Sequence, residues 1–479
     1  MHTEGVSCLR YLVTCVKRYG AERTYYMLAL DGSCGAALPF SSKLELKPGE
    51  VIEAETDEGK VQSFSAVEDE NVAKGARDAV DEAAKRMVRG TVLKTDTKEL
   101  DAVSARMRAK LEEAALLLAR KLVMSIPVVV RFHNDIDGSS GAYSVYKSVC
   151  MALGHGAGGA GCRPNIAWRM HPSVSYSKED AINDVLACGA YEPMERPMLL
   201  VIDFGTATES NEGIEFAKGR FDIAWLDHHP LVEGFAGVSL EHYVNPWNFG
   251  GDSNYTAGFL ACAFAKTLAD IDLRDVQEAS LAGDYSRYAR PTGRSRRIAA
   301  ILDLVTSDAR VLPWLKGGLG ADDIDRILSD EKESGELVSY AEGRMSDMLD
   351  LALNYVKVHK ASGALIYVVD FETLRGDSRE KYPLPGRFAS RLLGRIEELN
   401  KKDCALLLHF GYFVSIRLSK ALAERVGLLE LLNSIRQDYQ EYVDSAGGHS
   451  TAASLKLKGD EMKKEMIKQL VDRLKERLG

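Results

Sequence analysis

Short apolar runs separated by amphipathic stretches fill the middle of the chain. Between residues 126 and about 320, apolar runs at 128–132, 198–202 and 222–226 alternate with helical patterns such as 139–152 and 178–188. Strands that are apolar throughout are typical of a parallel sheet that is buried on both faces and connected by crossover helices. The pattern therefore predicts an α/β domain at 126–320.

The first 70 residues have a different pattern, in which short β-type runs are broken by turns such as Asp31-Gly32. Several short strands at this spacing predict a small β-barrel, and the phrase KPGEVIEAE resembles an OB-fold. Such barrels can bind single-stranded nucleic acid by stacking bases on aromatic side chains. Tyr25, Tyr26 and Phe40 are candidates for stacking, and an equal alternative places them in the barrel core.

Residues 71–125 are rich in Ala, Glu, Lys, Arg and Leu, which is a helix-forming composition. An apolar stripe at helical spacing is formed by Leu100, Val103, Met107, Leu111, Ala114, Leu118 and Leu122. The stripe predicts either a coiled-coil-like contact with another subunit or packing onto the next domain of the same chain. The sequence leaves both alternatives open.

Two further segments complete the predicted domain organisation. Residues 321–356 are helical and charged, and we interpret them as linker helices. Residues 357–479 predict a smaller α/β domain. Its strands are expected in ALIYVVDF, CALLLHF and YFVSIRL, and its helices in PGRFASRLLGRIEEL, in LAERVGLLELLNSIRQDYQEYV and near the C-terminus.

Composition excludes several classes of protein. No apolar run in the 479 residues approaches the roughly 18 needed to span a bilayer. The N-terminus lacks the pattern of a signal peptide, so we expect a cytoplasmic protein without a membrane partner. Eight cysteines without a CxxC pair argue against a disulfide framework and against a zinc ribbon.

The net charge of −9 speaks against a protein that coats duplex DNA, although it leaves room for a local basic groove. Arginines crowd into the stretch DYSRYARPTGRSRR, namely Arg287, Arg290, Arg294, Arg296 and Arg297. Arginine is suited to bidentate contact with phosphate. A solvated charged surface is the alternative interpretation of this run.

Side chains of the type that bind metals follow each of the three predicted central strands. They are His133, Asp135 and Asp137 in VVVRFHNDIDG, Asp203 in MLLVIDFG, and Asp227, His228 and His229 in IAWLDHH. In extended backbone, residues at i, i+2 and i+4 point to one side. In open parallel sheets, ligands bind beyond the carboxyl ends of the strands. We therefore expect these side chains to converge on one site.

Asp and His without a nearby thiolate favour Mn²⁺ or Mg²⁺ over Zn²⁺. Acidic and imidazole groups at one sheet edge would repel one another without cations, and two ions could perform an in-line phosphoryl displacement. A further carboxylate is expected, and Asp284 in LAGDYSR is the candidate. An ordinary aspartate at a helix end or in a loop is the alternative for Asp284.

Gly447, Gly448 and His449 form another candidate motif, in SAGGHSTAAS. Paired glycines let backbone N–H groups approach a phosphate or sugar closely, and the histidine adds a donor. A glycine turn that happens to precede a histidine is the plain alternative. Arg417, Arg387 and Arg287 are further candidates for substrate binding.

The phrases HNDIDG, IDFG, LDHH and GD, in that order and followed by GGHSTAAS, resemble the DHH–DHHA1 phosphoesterase superfamily. The resemblance covers roughly residues 126 to 460, about two thirds of the chain. The HxDxD spacing, the leading OB-like barrel and the chain length resemble archaeal RecJ-like single-strand exonucleases. Within that group the chain resembles the Hef-associated branch more than the GINS-associated branch.

The resemblance implies a set of residue roles. One metal would lie near His133, Asp135 and Asp203, and the second near Asp137, Asp203, His228 and Asp284, with Asp203 bridging the two. Asp227 would orient its neighbouring histidine, and His229 would face the scissile phosphate. The GGH domain would grip the nucleotide end opposite the metals.

The activity implied by the resemblance is Mn²⁺-dependent exonuclease digestion of single-stranded DNA, or of RNA, to 5′-mononucleotides, with 3′-to-5′ polarity slightly favoured. An oligoribonuclease or nucleotide phosphatase is one alternative, and a replication scaffold related to RecJ is another. We also expect a homo-oligomer and a replication or repair partner, such as a helicase or a GINS-like protein.

Overall fold

The structure, a computed structural model, divides into two compact units that are described separately. The first comprises Met1–Leu302 and Gly317–Glu331, and the second comprises Asp303–Lys316 and Lys332–Gly479. The described residues are 8–33, 35–42, 45–57, 59–90, 97–154, 165–173, 175–308, 312, 321–376, 381–400 and 402–478.

The first unit begins with a closed five-stranded barrel of the predicted OB type. Its strands are β1 (Cys8–Tyr19), β2 (Glu22–Ala29), β3 (Leu38–Ser41), β4 (Val51–Asp57) and β5 (Lys60–Ala66). The strand order is β2-β3-β5-β4-β1, and pairing of β1 with β2 closes the barrel. β1 has 12 residues and is longer than the short runs that the sequence pattern predicted.

Two of the three candidate aromatic residues of the barrel lie in its core. Tyr25 and Phe40 are buried among the apolar side chains that fill the barrel, and the hydroxyl of Tyr26 donates to Oδ1 of Asn165 at 3.1 Å. Buried rings cannot stack on a base. The structure therefore favours the core alternative over the stacking role for Tyr25 and Phe40.

Two helices follow the barrel, α1 (Glu70–Met87) and α2 (Lys98–Val123). Each residue of the predicted apolar stripe on α2 is at most 4% exposed within the chain. The stripe is therefore occupied by packing inside the first unit, which is the second of the two sequence-based alternatives.

A five-stranded parallel sheet forms the centre of the first unit. Its strands are β6 (Val128–His133), β7 (Ile166–His171), β9 (Met198–Ile202), β10 (Asp222–Leu226) and β11 (His242–Val244). The strand order is β11-β10-β9-β6-β7, and every neighbouring pair is parallel. The short strand β8 (Tyr191–Pro193) instead pairs with β1 of the barrel. The α/β class and the three central strands are as predicted.

Helices cover this sheet because its central strands are apolar on both faces. Those that contact its strands are α3 (Ile136–Ala152), α5 (Asn211–Lys218) and α6 (Ala257–Leu268). Three more pack on these helices, namely α4 (Lys178–Ala187), α7 (Arg274–Gly283) and α9 (Ala321–Ser329). Helix α8 (Gly293–Ser307) is divided between the two units after Leu302. α2 packs against α6 and β11. Among the described residues, no helix combines the length and the apolar character that crossing a bilayer requires.

The second unit is a smaller α/β domain. Its helices are α10 (Glu331–Leu353), α11 (Phe371–Arg375), α12 (Pro385–Asn400), α13 (Lys420–Val426), α14 (Leu428–Asp438) and α15 (Lys463–Leu478). Its strands are β12 (Lys357–Ala361), β13 (Ala364–Asp370), β14 (Asp403–Phe410), β15 (Phe413–Leu418), β16 (Val443–Gly448) and β17 (Ala452–Leu457), in the order β12-β13-β14-β15-β17-β16.

Two predictions in this region need correction. The stretch 422–443 was expected to be one helix, but Gly427 has φ +60° and divides it into α13 and α14. A left-handed residue ends an α-helix because its carbonyl and amide leave the helical ladder. The predicted linker 321–356 is also divided, since α9 belongs to the first unit and nearly all of α10 to the second.

Candidate metal centre

The metal-type side chains lie at the carboxyl edge of the parallel sheet, at the point where the strand order reverses. From β6 the chain first runs outward to β7 and later returns to add β9, β10 and β11 on the other side. Such a switch point leaves a crevice beyond the strand ends in which ligands bind. β6, β9 and β10 carry the candidate ligands into this crevice.

His133 is the last residue of β6, and Asp135 is the N-cap of α3. Oδ1 of Asp135 accepts the N–H of Gly138 at 2.9 Å, which leaves Oδ2 3.0 Å from Nδ1 of His133. A Cβ at Gly138 would lie 2.5 Å from the carbonyl oxygen of His133. The glycine of the HNDIDG phrase therefore permits the tight turn that brings the cap back to the strand end.

The expected extended alternation does not reach Asp137. β6 ends at His133 and α3 begins at Ile136, so Asp137 lies in the first turn of the helix. The reason is that Asp135 caps the helix and ends the strand-like backbone. Asp137 consequently points away from His133 and toward a second cluster.

Asp203 follows β9 in a left-handed backbone conformation, with φ +62°. Its N–H donates to the carbonyl of Leu226 at the end of β10, which fixes the turn. Aspartate tolerates this region better than most residues, yet such backbone strain persists chiefly at functional sites. The side chain is buried.

The two oxygens of Asp203 face different histidines. Oδ2 lies 3.5 Å from Nδ1 of His133, and Oδ1 lies 3.4 Å from Nε2 of His228. His133, Asp135 and Asp203 offer ligand atoms within 4.8 Å of one another, as do Asp137, His228 and Asp284. Asp203 therefore touches both groups.

The second group meets around Nε2 of His228. Oδ2 of Asp284, at the C-terminal end of α7, lies 3.3 Å from this nitrogen, and Oδ2 of Asp137 lies 3.7 Å from it. Asp137 is held in place by the N-terminus of α6, because the N–H groups of Ala257 and Gly258 each donate to its carboxylate at 2.8 Å. The hydroxyl of Ser280 also donates to Oδ1 of Asp137.

The tandem histidines after β10 have different partners. Nδ1 of His228 lies 2.8 Å from the carbonyl oxygen of Ser253, so this nitrogen donates and Nε2 is left to face the carboxylates. Nδ1 of His229 instead lies 2.8 Å from Oδ1 of the buried Asp227. Asn245 supports that pair by donating to the carbonyl of His229 at 3.0 Å.

The charged side chains of the two ligand groups shift one another's pKa values. Burial alone would lower the pKa of His133 and of His228, but the facing carboxylates outweigh it and raise both pKa values well above their ordinary range. Burial would raise the pKa of Asp203, but its contacts with the two histidines hold that pKa far below normal. The pKa of Asp137 is raised by burial and by the charges of Asp203 and Asp284.

The residues fit divalent cations. Nδ1 of His133 and Oδ1 of Asp203 are buried, yet neither makes a hydrogen bond with any residue that the structure describes. Buried polar atoms normally have partners, and here each lies beside further ligand-type atoms. Cations would supply the positive charge that the histidine protons otherwise provide. Carboxylate and imidazole ligands without thiolate suit Mn²⁺ or Mg²⁺.

The predicted substrate-binding residues are placed as follows. In the first unit, Nη1 of Arg287 pairs with Oδ2 of Asp252 at 2.9 Å, and the side chain is about half exposed. In the second unit, Gly447 and Gly448 lie on β16, and the N–H of His449 donates to the carbonyl of Ala452 to close the hairpin to β17.

Two arginines of the second unit have protein partners. The guanidinium of Arg417 donates to Oγ of Ser390 at 2.9 Å and to the carbonyl of Ala453 at 3.4 Å. Ala453 is the register partner of Gly448, so Arg417 lies beside the GGH hairpin. Arg387 pairs with Asp303 at 3.6 Å, and both side chains are largely buried.

Sequence reasoning missed the residues that orient these ligands. Asn245 directly follows β11, so the strand-end criterion used for the other strands would have found it. Ser253, Gly258 and Ser280 carry no comparable signal, because small residues of these types are common throughout the chain.

Comparisons with known proteins indicate what the chain is similar to. No protein-family model matches it. An uncharacterized protein of Methanocaldococcus jannaschii is 23% identical over 416 residues, which cover 74% of this chain and 52% of that protein. The chain thus spans about half the length of the curated relative that it matches.

Among solved structures, a DHH domain described as a member of the S1p family of ribosomal proteins gives a TM-score of 0.68 at 19% identity, covering 85% of this chain and 98% of that one. RecJ from Thermus thermophilus, solved in complex with Mn²⁺, gives a TM-score of 0.46 at 15% identity, covering 83% and 58%.

Proposed function

Since the chain has the fold of a DHH-domain protein, we propose that it is a two-metal phosphoesterase, and specifically a Mn²⁺-dependent exonuclease. Its substrate would be single-stranded DNA, or RNA, and its products 5′-mononucleotides, with 3′-to-5′ polarity slightly favoured. The observation that carries the proposal is the position of Asp203, whose oxygens lie 3.5 and 3.4 Å from the histidines of two ligand groups.

His133, Asp135 and Asp203 would hold one ion, and Asp137, Asp203, His228 and Asp284 the other. When bound, such a pair of ions supplies charge stabilisation to both the attacking and the leaving oxygen of a phosphoryl displacement. The protein contributes a crevice of fixed carboxylates, so little reorganisation is needed when charge develops.

Asp227 would keep His229 protonated, and His229 would orient the scissile phosphate. The buried carboxylate of Asp227 holds Nδ1 of His229 at 2.8 Å, which fixes the ring and stabilises its protonated form. Against burial, this carboxylate raises the pKa of His229. A protonated His229 can donate a hydrogen bond to a non-bridging oxygen of the scissile phosphate.

Contacts to the rest of the substrate are proposed for Arg287 in the first unit and for the GGH hairpin with Arg417 and Arg387 in the second. Arg287 has one guanidinium nitrogen on Asp252, and exchange of that partner for a phosphate would keep its charge balanced. A homo-oligomer and a replication or repair partner remain part of the proposal.

The test uses single-stranded DNA and RNA labelled at the 5′ or the 3′ end, incubated with Mn²⁺ or Mg²⁺. Progressive shortening to mononucleotides is expected, and the labelled end that persists reports polarity. A preference for dinucleotides over 20-mers would instead favour an oligoribonuclease or phosphatase. Absence of hydrolysis on every substrate, with the metals bound, would favour a scaffold.

A further inference from the structure

Trp247 is hydrogen-bonded to residues of the candidate metal centre through its backbone N–H and its indole N–H. It lies in the helical turn Pro246–Phe249 after β11, where its N–H donates to Oδ1 of Asn245 at 3.0 Å. Its indole Nε1 donates to the carbonyl of His228 at 3.2 Å and lies 3.3 Å from Oγ of Ser253. Ser253 and His228 also contact each other, because Oγ of Ser253 donates to the carbonyl of His228 at 2.9 Å.

Trp247 as a whole residue is nevertheless 41% exposed. Nε1 is the one polar atom of the indole and donates to protein groups, so every other atom that the indole can present to solvent is apolar carbon. By contrast, Trp225 in the same unit is fully buried. An aromatic ring that is fixed by its N–H and still open to solvent is pre-organised for a contact with a ligand.

Tyr285 is a second exposed aromatic residue of the same region. It directly follows Asp284, is 57% exposed, and has a left-handed backbone with φ +53°. That conformation is strained for a residue other than glycine and persists mainly where function requires it. The hydroxyl of Ser286, the next residue, donates to the carbonyl of Asn254 at 2.7 Å.

The loop 252–254 is contacted both by Trp247 and by the segment that follows Tyr285. Trp247 reaches it at Ser253, and the segment that contains Tyr285 reaches it at Asn254. The same loop provides Oδ2 of Asp252 for the guanidinium of Arg287. Two segments that carry exposed aromatic residues, and one cation, thus contact a single loop, and the carbonyl of Ser253 in that loop also holds His228.

We propose that Trp247 and Tyr285 stack on nucleobases next to the metal centre, so that the site selects phosphodiesters that carry bases over inorganic polyphosphate. The inference rests on the proposed phosphoesterase function and names the substrate class of that same site. Bases of every kind have a π-face that can stack on an aromatic side chain. Inorganic pyrophosphate and polyphosphate have no apolar surface for which exposed rings would be useful.

The experiment compares a thymidine decanucleotide, the same strand with abasic residues at both ends, and inorganic tripolyphosphate, each with Mn²⁺. For Trp247→Ala we expect a KM about 10-fold higher on the decanucleotide, with kcat nearly unchanged and no change on the abasic strand. Tyr285→Ala should act in the same direction. Trp247→Phe keeps a ring and should retain part of the preference for bases.

Tyr19→Ala is the matched control, because Tyr19 is an 81% exposed aromatic on the barrel strand β1. It should leave KM unchanged on all three substrates. Bound Mn²⁺ per chain is measured for each variant. A Trp247→Ala protein that loses metal and kcat without losing its preference for bases would show a structural role and would overturn the inference.

Two other outcomes separate the inference from the proposed function. Hydrolysis of the decanucleotide and the abasic strand with equal KM by the wild-type protein would refute base stacking and leave the phosphoesterase in place. If no substrate is hydrolysed, the base-stacking inference is tested by binding alone, measured as the fluorescence anisotropy of labelled strands. Weaker binding of the decanucleotide, and not of the abasic strand, to Trp247→Ala would support stacking while the proposed function fails; equal binding would overturn both.

Discussion

The N–H of Gly258 donates to Oδ1 of Asp137 at 2.8 Å, so the first turn of α6 holds a carboxylate of the candidate metal centre. The amide of Ala257 makes the equivalent contact with Oδ2. A helix N-terminus favours negative charge. The fold therefore offsets part of the cost of burying Asp137, and it fixes which way the carboxylate faces.

Gly258→Ala should disrupt this arrangement. A Cβ there would lie 2.7 Å from both the carbonyl oxygen of Asp137 and Oγ of Ser280, so the helix end and the carboxylate have to separate. We expect affinity for the second ion to fall about 10- to 100-fold, measured by isothermal titration with Mn²⁺. Gly75→Ala in α1 is the control, because nothing lies within 4 Å of its Cβ. Unchanged affinity in Gly258→Ala would contradict the role assigned to this contact.

Asp227→Asn should separate orientation from metal binding. The side chain of Asp227 contacts His229 at 2.8 Å, and neither residue belongs to the two proposed ligand sets. Loss of the charge that stabilises protonated His229 should lower kcat by about 10²- to 10⁴-fold. Mn²⁺ per chain should stay at the wild-type value, as measured by elemental analysis after gel filtration. Loss of metal together with activity would show that Asp227 is itself a ligand.

Asp180 should make the stability of the first unit depend on acid pH. Burial would raise its pKa, but the contacts with His171, Arg131 and Ser177 outweigh it and lower the pKa to about 2. Arg131 is buried and also forms a two-point ion pair with Asp184, at 2.6 and 2.9 Å. The folded protein therefore prefers ionised Asp180 more strongly than the unfolded chain does.

A depressed pKa contributes stability that is fully present above the unfolded value of about 3.9 and is lost as pH falls toward 2. The contribution at neutral pH is about 2 kcal/mol. Urea unfolding with EDTA at pH 5.0 and 2.5 should show a smaller loss of unfolding free energy in Asp180→Asn than in the wild type. Equal losses in the two proteins would contradict the assignment.

Much of the fold follows from local pattern, because burial on both faces leaves an apolar run that is visible in the sequence. The strand that ends at His133 and the strands that directly precede Asp203 and the DHH phrase were found in this way. The helical position of Asp137 was missed because an N-cap, rather than alternation, decides the backbone after His133. Similarly, one left-handed glycine, Gly427, divides a continuous helical pattern.

The rest of the site depends on contacts between distant parts of the chain. The carbonyl of Ser253 fixes the tautomer of His228, and Ser280 contacts Asp137 across 143 positions of sequence. Neither pairing leaves a periodic or compositional trace. The sequence also left open whether the α2 stripe packs on another subunit or on its own chain. An apolar helix face shows that the face is covered, but not which element covers it.

The central claim is that Asp203 joins the two ligand groups, and Asp203→Asn tests it most directly. Asparagine has nearly the same shape and also tolerates the φ of +62° at this position, so the fold should be retained. We predict that the wild-type chain binds two Mn²⁺ ions in isothermal titration calorimetry, and that Asp203→Asn loses tight binding of both together with activity. Binding of two ions by Asp203→Asn with wild-type affinity would contradict the account.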